Sequence, residues 1–458
     1  VIAKYKNLAE QIDMHRIISM LNQLAQLTTT PGAGITRPAY SDLDVRGKML
    51  VHHFMRESGL APHMTPVGNV IGRCSPANPS YHHNPVILTG SHTDTVYHGG
   101  AFDGTVGVIC AIEALRVLQH VTTDLVCPVA VVDFAMEESS RFGGMYGFGS
   151  HVFTGGDVSD AMLLRTDHTG MTLAEALRNM ANCPAVSVRI DADTPDDDLA
   201  YAHQILAASS WSPENVQAYI EMHIEQGATL VEQGLQIGAV TGAATPTRLQ
   251  IRIAGQQGHS GTTPMHARKN ALSAAAALIG TIDELCQTEI AFDTVGSVTQ
   301  ISVEPNTINT IPGQALLGVD IRSTNHASKR RLVARIQQAS ETISMQHGVV
   351  AHVGVLVDET PILFDVSLRE VIEDVCRSCG VSWQRMPSRA GHDACHVTHL
   401  AERVGMLFLP SKDGISHHPD EWTDAADIYR GTQILLLTLL RLATELEDTK
   451  VSGNEDIQ

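Results

Sequence analysis

The 458-residue sequence predicts an α/β protein: a doubly wound, mixed-parallel sheet interrupted by a smaller α+β insert of ferredoxin-like order. Three observations predict it. The runs PVILTG and PVAVVDF are apolar throughout, the pattern of parallel strands covered on both faces. The helix-period run GVICAIEALRVL (107–118) lies between them and completes a strand–helix–strand unit. Beyond about residue 242 the apolar residues alternate with period two, as in a sheet with one face in solvent.

Residues 8–27 and 41–59 carry apolar side chains at helical spacing, and Ser58-Gly59 closes the second helix. VGNVIGR (67–73), PVILTGSH (85–92) and PVAVVDFAMEE (128–138) read as strands. DADTPDDDL (191–199), acidic and broken by proline, reads as a surface excursion without chemistry; apolar segments follow at 216–224 and 229–241. Next come the strand 247–255, the helix 270–286, the strands 294–303 and 314–323, the helix 328–344 and the strand 351–359. That order places an insert at 242–357, between a first part of the main domain at 1–241 and a returning part at 358–458. The return runs through a helix at 366–379 and the apolar strand VGMLFLP (404–410). ILLLTLL (434–440) is far shorter than the ~20 residues that span a bilayer and reads as buried helix. The final residues, 445–458, are expected to fray.

Hydrophobic residues make up 43% and charged residues 18%, which provides for a large core and excludes a disordered chain. The net charge of −19 repels phosphate backbones and anionic lipid, and aromatics at 4% offer no platform for stacking bases. Nucleic acid and membrane are therefore not expected as partners. The eight cysteines are scattered rather than arranged as a disulfide framework, and the N-terminal VIAKYKNLAEQIDMHRII has no signal-peptide apolar core. A soluble, cytoplasmic protein is the expectation. Cys376-Arg-Ser-Cys379 has no second pair and reads as a coincidence on a helix.

Five short constellations carry chemistry. In GSHTDT (90–95), His92 stands at a strand end, where open α/β sheets bind ligands, and Asp94 is spaced to accept the other imidazole N–H. Asp103, in GGAFDG, precedes the helix 107–118 and alone would read as a capping carboxylate. Glu137 and Glu138 end a buried strand, so one can bind a metal while its neighbour works as a base. In YIEMHIEQG (219–227), alternation exposes Glu221, His223 and Glu225 on one face; DGISHHP (413–419) follows the strand 404–410. Each is weak alone. Together they supply His, Asp, Glu, His and His with one spare Glu, a set suited to Zn²⁺, Mn²⁺, Co²⁺ or Ni²⁺. Five ligands exceed one catalytic site and suit two ions sharing a carboxylate.

These motifs occur in order with GITRPAYS (34–41), TLAEALR (172–178), GHSGTTPM (258–265), PNTINTIPG (305–313), DIRS (320–323) and AGHDA (390–394). Over about Leu21 to Ala443 the sequence resembles the amidohydrolases of peptidase family M20, in the branch that hydrolyses ureido groups. That branch holds N-carbamoyl-L-amino-acid hydrolase, bacterial-type β-ureidopropionase and allantoate amidohydrolase. The resemblance implies a two-part catalytic domain and an insert serving as lid and dimerisation domain. It implies that His92, Asp103 and His223 bind one divalent ion, and Asp103, Glu138 and His417 the other, with Asp103 bridging. Glu137 is implied as the general base, with Asp94 beside it. His259 would stabilise the oxyanion, while Gln226, Asn309, Arg322 and the backbone at Gly391 would hold the substrate. Arg322 suits a bidentate grip on a carboxylate.

The peptidase members carry a carboxylate where this chain has His223, which with Glu225-Gln226 favours the ureido branch. The implied reaction is cleavage of an N-carbamoyl-L-amino acid to amino acid, CO₂ and ammonia by a homodimer acting on a small carboxylate-bearing ureido substrate. Allantoate and N-carbamoyl-β-alanine are the alternatives of equal chemistry, and a dimetal M20 peptidase the more distant one. Three positions depart from the family pattern: Arg389 replaces a small residue, Ala228 a proline, and His418 an Asn or Ser. Alignment through Ser416 favours His417 over His418 as the ligand.

Overall fold

The structure, a computed structural model, describes residues 5–74, 85–121, 125–187, 190, 197–212 and 215–444. Residues 191–196 of the acidic excursion and the C-terminal 445–458 lie outside the described residues. The chain divides into two compact units. One comprises Val1–Thr241, Phe364–Met386 and His392–Gln458, the other Gly242–Leu363 and Pro387–Gly391.

The first unit is built on a mixed sheet. Its parallel centre is Val129–Phe134, Val86–His92, Val216–Ile224 and Arg403–Leu409, side by side in that order. Antiparallel strands flank it, Ala61–Met64 and Val70–Arg73 on one side and Ile237–Ala243 on the other. Val129–Phe134 and Val86–His92 are buried along their whole length, as their apolar runs require. From Val86–His92 the chain first adds a strand on one side, through the helix Thr105–Leu118, and later adds Val216–Ile224 on the other. Strand order reverses between those two strands, so the crevice at their C-terminal ends is the natural ligand site of such a sheet.

The expected first helix is two pieces, a 3₁₀ turn at Lys6–Gln11 and a helix at Met14–Ala25. Asp13 divides them, because its carboxylate caps the second piece by accepting from the His15 and Arg16 N–H groups. Ser41 caps Asp42–Glu57 in the same way. ILLLTLL falls within the buried helix Ala425–Thr444, and among the described residues no helix is long and apolar enough to cross a membrane. All eight cysteines are free thiols, and Cys376 and Cys379 share the helix Val366–Cys379.

The second unit has four antiparallel strands ordered Val350–Asp358, Thr245–Ala254, Gln314–Ser323, Val295–Glu304. In chain sequence that is fourth, first, third, second, the split βαβ arrangement. One face packs Leu249, Ile251, Leu317 and Val319 against Leu278 and Ile282 of the helix Ala271–Gln287 and Leu332 of the helix His326–His347. This unit reaches Leu363 rather than residue 357, because Ile362–Leu363 pairs with Gly242–Ala243 where the chain enters.

Candidate active site

His92 ends one strand beside the reversal point and His223 stands near the end of the other, so the sheet delivers both imidazoles to one crevice. Asp103 enters from the turn before Thr105–Leu118. That turn closes on Gly104, whose φ of 59° and close approach to the His92 ring leave no room for a Cβ: an added one would lie 2.3 Å from Nε2. Glu137 and Glu138 follow Val129–Phe134, and His417 comes from the loop after Arg403–Leu409.

These side chains converge. Asp103 Oδ1 lies 3.1 Å from His223 Nε2 and 3.7 Å from His92 Nε2, while Oδ2 lies 3.3 Å from His417 Nε2. Glu138 Oε1 is 3.1 Å from His417 Nε2, and Glu137 Oε2 is 3.7 Å from His92 Nε2. His92, Asp103 and His223 form one potential ligand group and Asp103, Glu138 and His417 another, sharing Asp103. His418 instead faces Asp420 on the surface.

The donor set fits two divalent cations. Nδ1 of His92 donates to the Asp94 carbonyl at 3.1 Å and Nδ1 of His223 to the Ile224 carbonyl at 2.9 Å, so both rings turn Nε2 toward Asp103. Each Nε2 faces the buried Asp103 carboxylate, an arrangement that positive charge placed between them stabilises. Burial lowers the His223 pKa, but Asp103 outweighs it and raises it to about 9. His417, bonded to Asp103 and Glu138, is raised to about 10. Burial pushes the Asp103 carboxyl up, yet His223, His417 and His92 together hold it well below the usual range. Glu137 is raised well above it, by burial first and then by Glu138, Asp393, Asp94 and Asp103.

One expected contact differs. The Asp94 carboxylate does not take the His92 N–H; its Oδ1 is 3.7 Å away, and the Asp94 backbone carbonyl serves instead. The carboxylate accepts the Glu137 and Glu138 peptide N–H groups, each at 3.1 Å, and so anchors the turn bearing both glutamates. Gln226, expected on the substrate, donates from Nε2 to Asp103 Oδ2 at 2.7 Å, while its buried Oε1 has no hydrogen-bond partner among the described residues. Nor is the Glu221 face exposed: Val216–Ile224 is central in the sheet, and Glu221 and His223 are buried. Glu221 accepts from Ser91 Oγ at 2.8 Å and from the Ala394 N–H at 2.8 Å, and Glu225 caps a short helix through the Thr229 and Leu230 N–H groups.

Beneath the site lie charges that the sequence motifs did not mark. Lys48 Nζ donates to Asp133 Oδ1 at 2.6 Å and to the Phe134 carbonyl, and Thr93 Oγ1 donates to the same aspartate. Arg37 donates to the Thr93 carbonyl from Nε at 3.0 Å and Nη2 at 2.7 Å, and from Nη1 to the Leu24 carbonyl at 2.6 Å. Both cations are fully buried, and both act on the strand ends and turns that carry His92, Asp94 and Glu137.

The remaining expected residues belong to the second unit. His259 is exposed, with Nδ1 accepting from the Gly261 and Thr262 N–H groups at 3.0 and 3.2 Å, which leaves its proton on Nε2. Pairing of Thr310 with His259 sets Asn309 beside it, where the Asn309 carbonyl accepts from the Ser260 N–H. Arg322 donates from Nε to Asp320 Oδ2 at 2.9 Å and from Nη1 to the Arg389 carbonyl at 3.2 Å, and Arg389 itself pairs with Asp293 at 2.6 Å. Gly391 closes the segment Pro387–Gly391.

Residues 80–441 match peptidase family M20/M25/M40. The chain belongs to this family. Over 433 residues it is 33% identical to the N-carbamoyl-L-amino acid amidohydrolase of Geobacillus stearothermophilus, covering 94% of this chain and 99% of that one. It is 30% identical over 442 residues to an allantoate deiminase of Arabidopsis thaliana, covering 89% of this chain and 80% of that one. A crystal structure of an amidase of the hydantoinase/carbamoylase family from Burkholderia multivorans aligns with a TM-score of 0.81 at 29% identity, covering 95% of this chain and 98% of that one. This M20 member is thus a hydrolase of the amidohydrolase kind. M20 is a family of dinuclear metal enzymes, and the two groups sharing Asp103 are the candidate ligands here.

Proposed function

We propose that this M20 amidohydrolase cleaves the ureido C–N bond of an N-carbamoyl-L-amino acid, giving the amino acid and a carbamate that decomposes to CO₂ and ammonia. One observation carries the reading: Asp103 is shared by three histidines, and Glu137 stands at the same cluster without being needed as a ligand. Relatedness over most of the chain to an N-carbamoyl-L-amino acid amidohydrolase and an allantoate deiminase supports it.

Two divalent ions, held by His92, Asp103 and His223 and by Asp103, Glu138 and His417, supply Lewis-acid polarisation and an acidified water when bound. The donor set suits Zn²⁺, Mn²⁺, Co²⁺ or Ni²⁺. Glu137 takes a proton from the attacking water and returns it to the leaving nitrogen; its Oε2 lies 3.7 Å from His92 Nε2, at the edge of the cluster. Asp94 fixes the turn that aims Glu137. The unpaired Gln226 Oε1 accepts a ureido N–H. His259 offers its Nε2 proton to the developing oxyanion. Arg322, oriented by Asp320 and the Arg389 carbonyl, has further N–H groups for the substrate carboxylate, with Asn309 and the Gly391 backbone completing the grip.

The second unit serves in this reading as lid and as the dimerisation domain of a homodimer. The Ala-rich stretch 274–277 supports close approach only in part, since Ala274 and Ala275 are buried in the unit's own core and Ala276 and Ala277 are exposed. Eight free thiols suit a reducing cytoplasm. The test is ammonia release from N-carbamoyl-L-amino acids, N-carbamoyl-β-alanine and allantoate, beside a dipeptide panel. The N-carbamoyl-L-amino acids are expected to be fastest. Hydrolysis of dipeptides without ammonia release from any ureido compound overturns the reading.

A further inference from the structure

Glu421 belongs to none of the motifs, yet it is 3% exposed and lies against the candidate metal cluster. It stands four residues after His417. Its Oε1 accepts the peptide N–H of Phe102 at 2.9 Å and that of Asp103 at 3.0 Å. Ser416 Oγ lies 2.8 Å from Asp103 Oδ2 and 3.4 Å from Glu421 Oε2, tying the same two carboxylates together a second time. The opposing backbone is shaped for this side chain, because a Cβ on Gly100 would sit 2.2 Å from Glu421 Oε1. Around it the loops are fastened. Trp422 meets Phe102 edge-on at 5.5 Å, and the Lys412 N–H donates to the Trp422 carbonyl at 2.8 Å.

Two peptide N–H groups do not require a charged acceptor. A buried carboxylate next to Asp103 is electrostatically unfavourable, and becomes favourable once cations occupy the cluster. Ion binding and closure of this clamp therefore favour each other, and by linkage the effect is reciprocal. We propose that Glu421 is a positioning residue that couples the two ion sites: it locks the turn bearing Asp103 to the loop bearing His417, so that filling one site organises the other. This rests on the two-ion reading above and adds how the two ions depend on each other.

Calorimetric titration of the chelator-stripped full-length protein with Mn²⁺ tests it. Wild type is expected to take two ions per chain in one cooperative transition. Glu421→Gln, which keeps the shape and removes the charge, should bind them in two steps, the second weakened about 10- to 100-fold, with the metal-free melting temperature unchanged or raised. A single unweakened transition in the variant, or two independent steps already in wild type, overturns the proposal. So does a split isotherm accompanied by a fall in metal-free melting, which assigns Glu421 to folding alone. If Glu421→Gln does not fold, Ser416→Ala is read in its place: a split isotherm supports the coupling and a wild-type isotherm overturns it. Fewer than two ions bound by wild type defeats the two-ion reading itself, and the coupling with it.

Discussion

The two units hold their candidate site residues in opposite ways. In the first, His92, Asp94, Asp103, Glu137 and His223 are buried, and each is fixed by backbone groups or by another side chain of the cluster. In the second, His259 and Asn309 are exposed and Arg322 is half-buried. The first arrangement is rigid and charged and suits groups that must meet ions and water in one geometry. The second leaves side chains with few partners, where a substitution changes what is bound more readily than whether the protein folds.

That contrast breaks first at Glu137. Glu137→Gln is expected to keep both metals and lose ~10²–10⁴ in kcat, since a positioned base contributes about that much. Metal content by mass spectrometry together with kcat decides it. Near wild-type kcat at full occupancy would remove Glu137 from the chemistry. Next comes the floor of the same unit. Lys48→Met leaves Asp133 buried without its cation, which costs about 3–5 kcal/mol. Urea unfolding would read this as a fall in midpoint, and an unchanged midpoint would show that the strand ends do not depend on the pair.

The second unit should respond in selectivity instead. Arg322→Ala or Arg322→Lys removes a charge-assisted contact worth about 2–5 kcal/mol, or roughly 30- to several-thousand-fold in kcat/KM. The loss should appear on the carboxylate substrate and largely vanish on its carboxamide. Equal losses on both substrates would give Arg322 a structural role.

The difference between the units also explains what the sequence disclosed. His92, Asp103, Glu137, His223 and His417 were legible as candidates because each sits in a short motif at or beyond a strand or helix end, and strand ends could be read from apolar runs. The ferredoxin-like order was legible because period-two alternation is local. The supports were not. Lys48 lies on a helix whose spacing makes a lysine look solvated, and its partner Asp133 is 85 residues away. Glu421 reaches Phe102 across 319 residues. Neither distance leaves a local mark. The Asp94 contact differs for a related reason: the spacing H-x-D places a carboxylate near the imidazole, but the backbone carbonyl of the same residue is nearer, and the carboxylate is drawn to two peptide N–H groups.

The smallest effect belongs to an ion pair away from the cluster, and it sharpens the contrast within the first unit. Asp167 accepts from Arg141 Nε at 2.9 Å, from the Thr169 N–H at 2.8 Å and from Thr169 Oγ1 at 2.6 Å. Burial raises its pKa, but the Thr169 bonds and Arg141 outweigh burial and hold it at about 2, against an ordinary 3.8. A carboxylate depressed in this way favours the folded state while it is ionised in both states. Its contribution is complete above about pH 4–5 and is lost as pH falls through about 2, with roughly half gone near pH 3. Solvent screening limits it to about 1–2 kcal/mol. Asp167→Asn should therefore lower the urea midpoint most at neutral pH, and the gap from wild type should narrow from about pH 5 to pH 3 at equal salt. A gap that stays constant over that range would show that the hydrogen-bond geometry of Asp167, and not its charge, holds the turn.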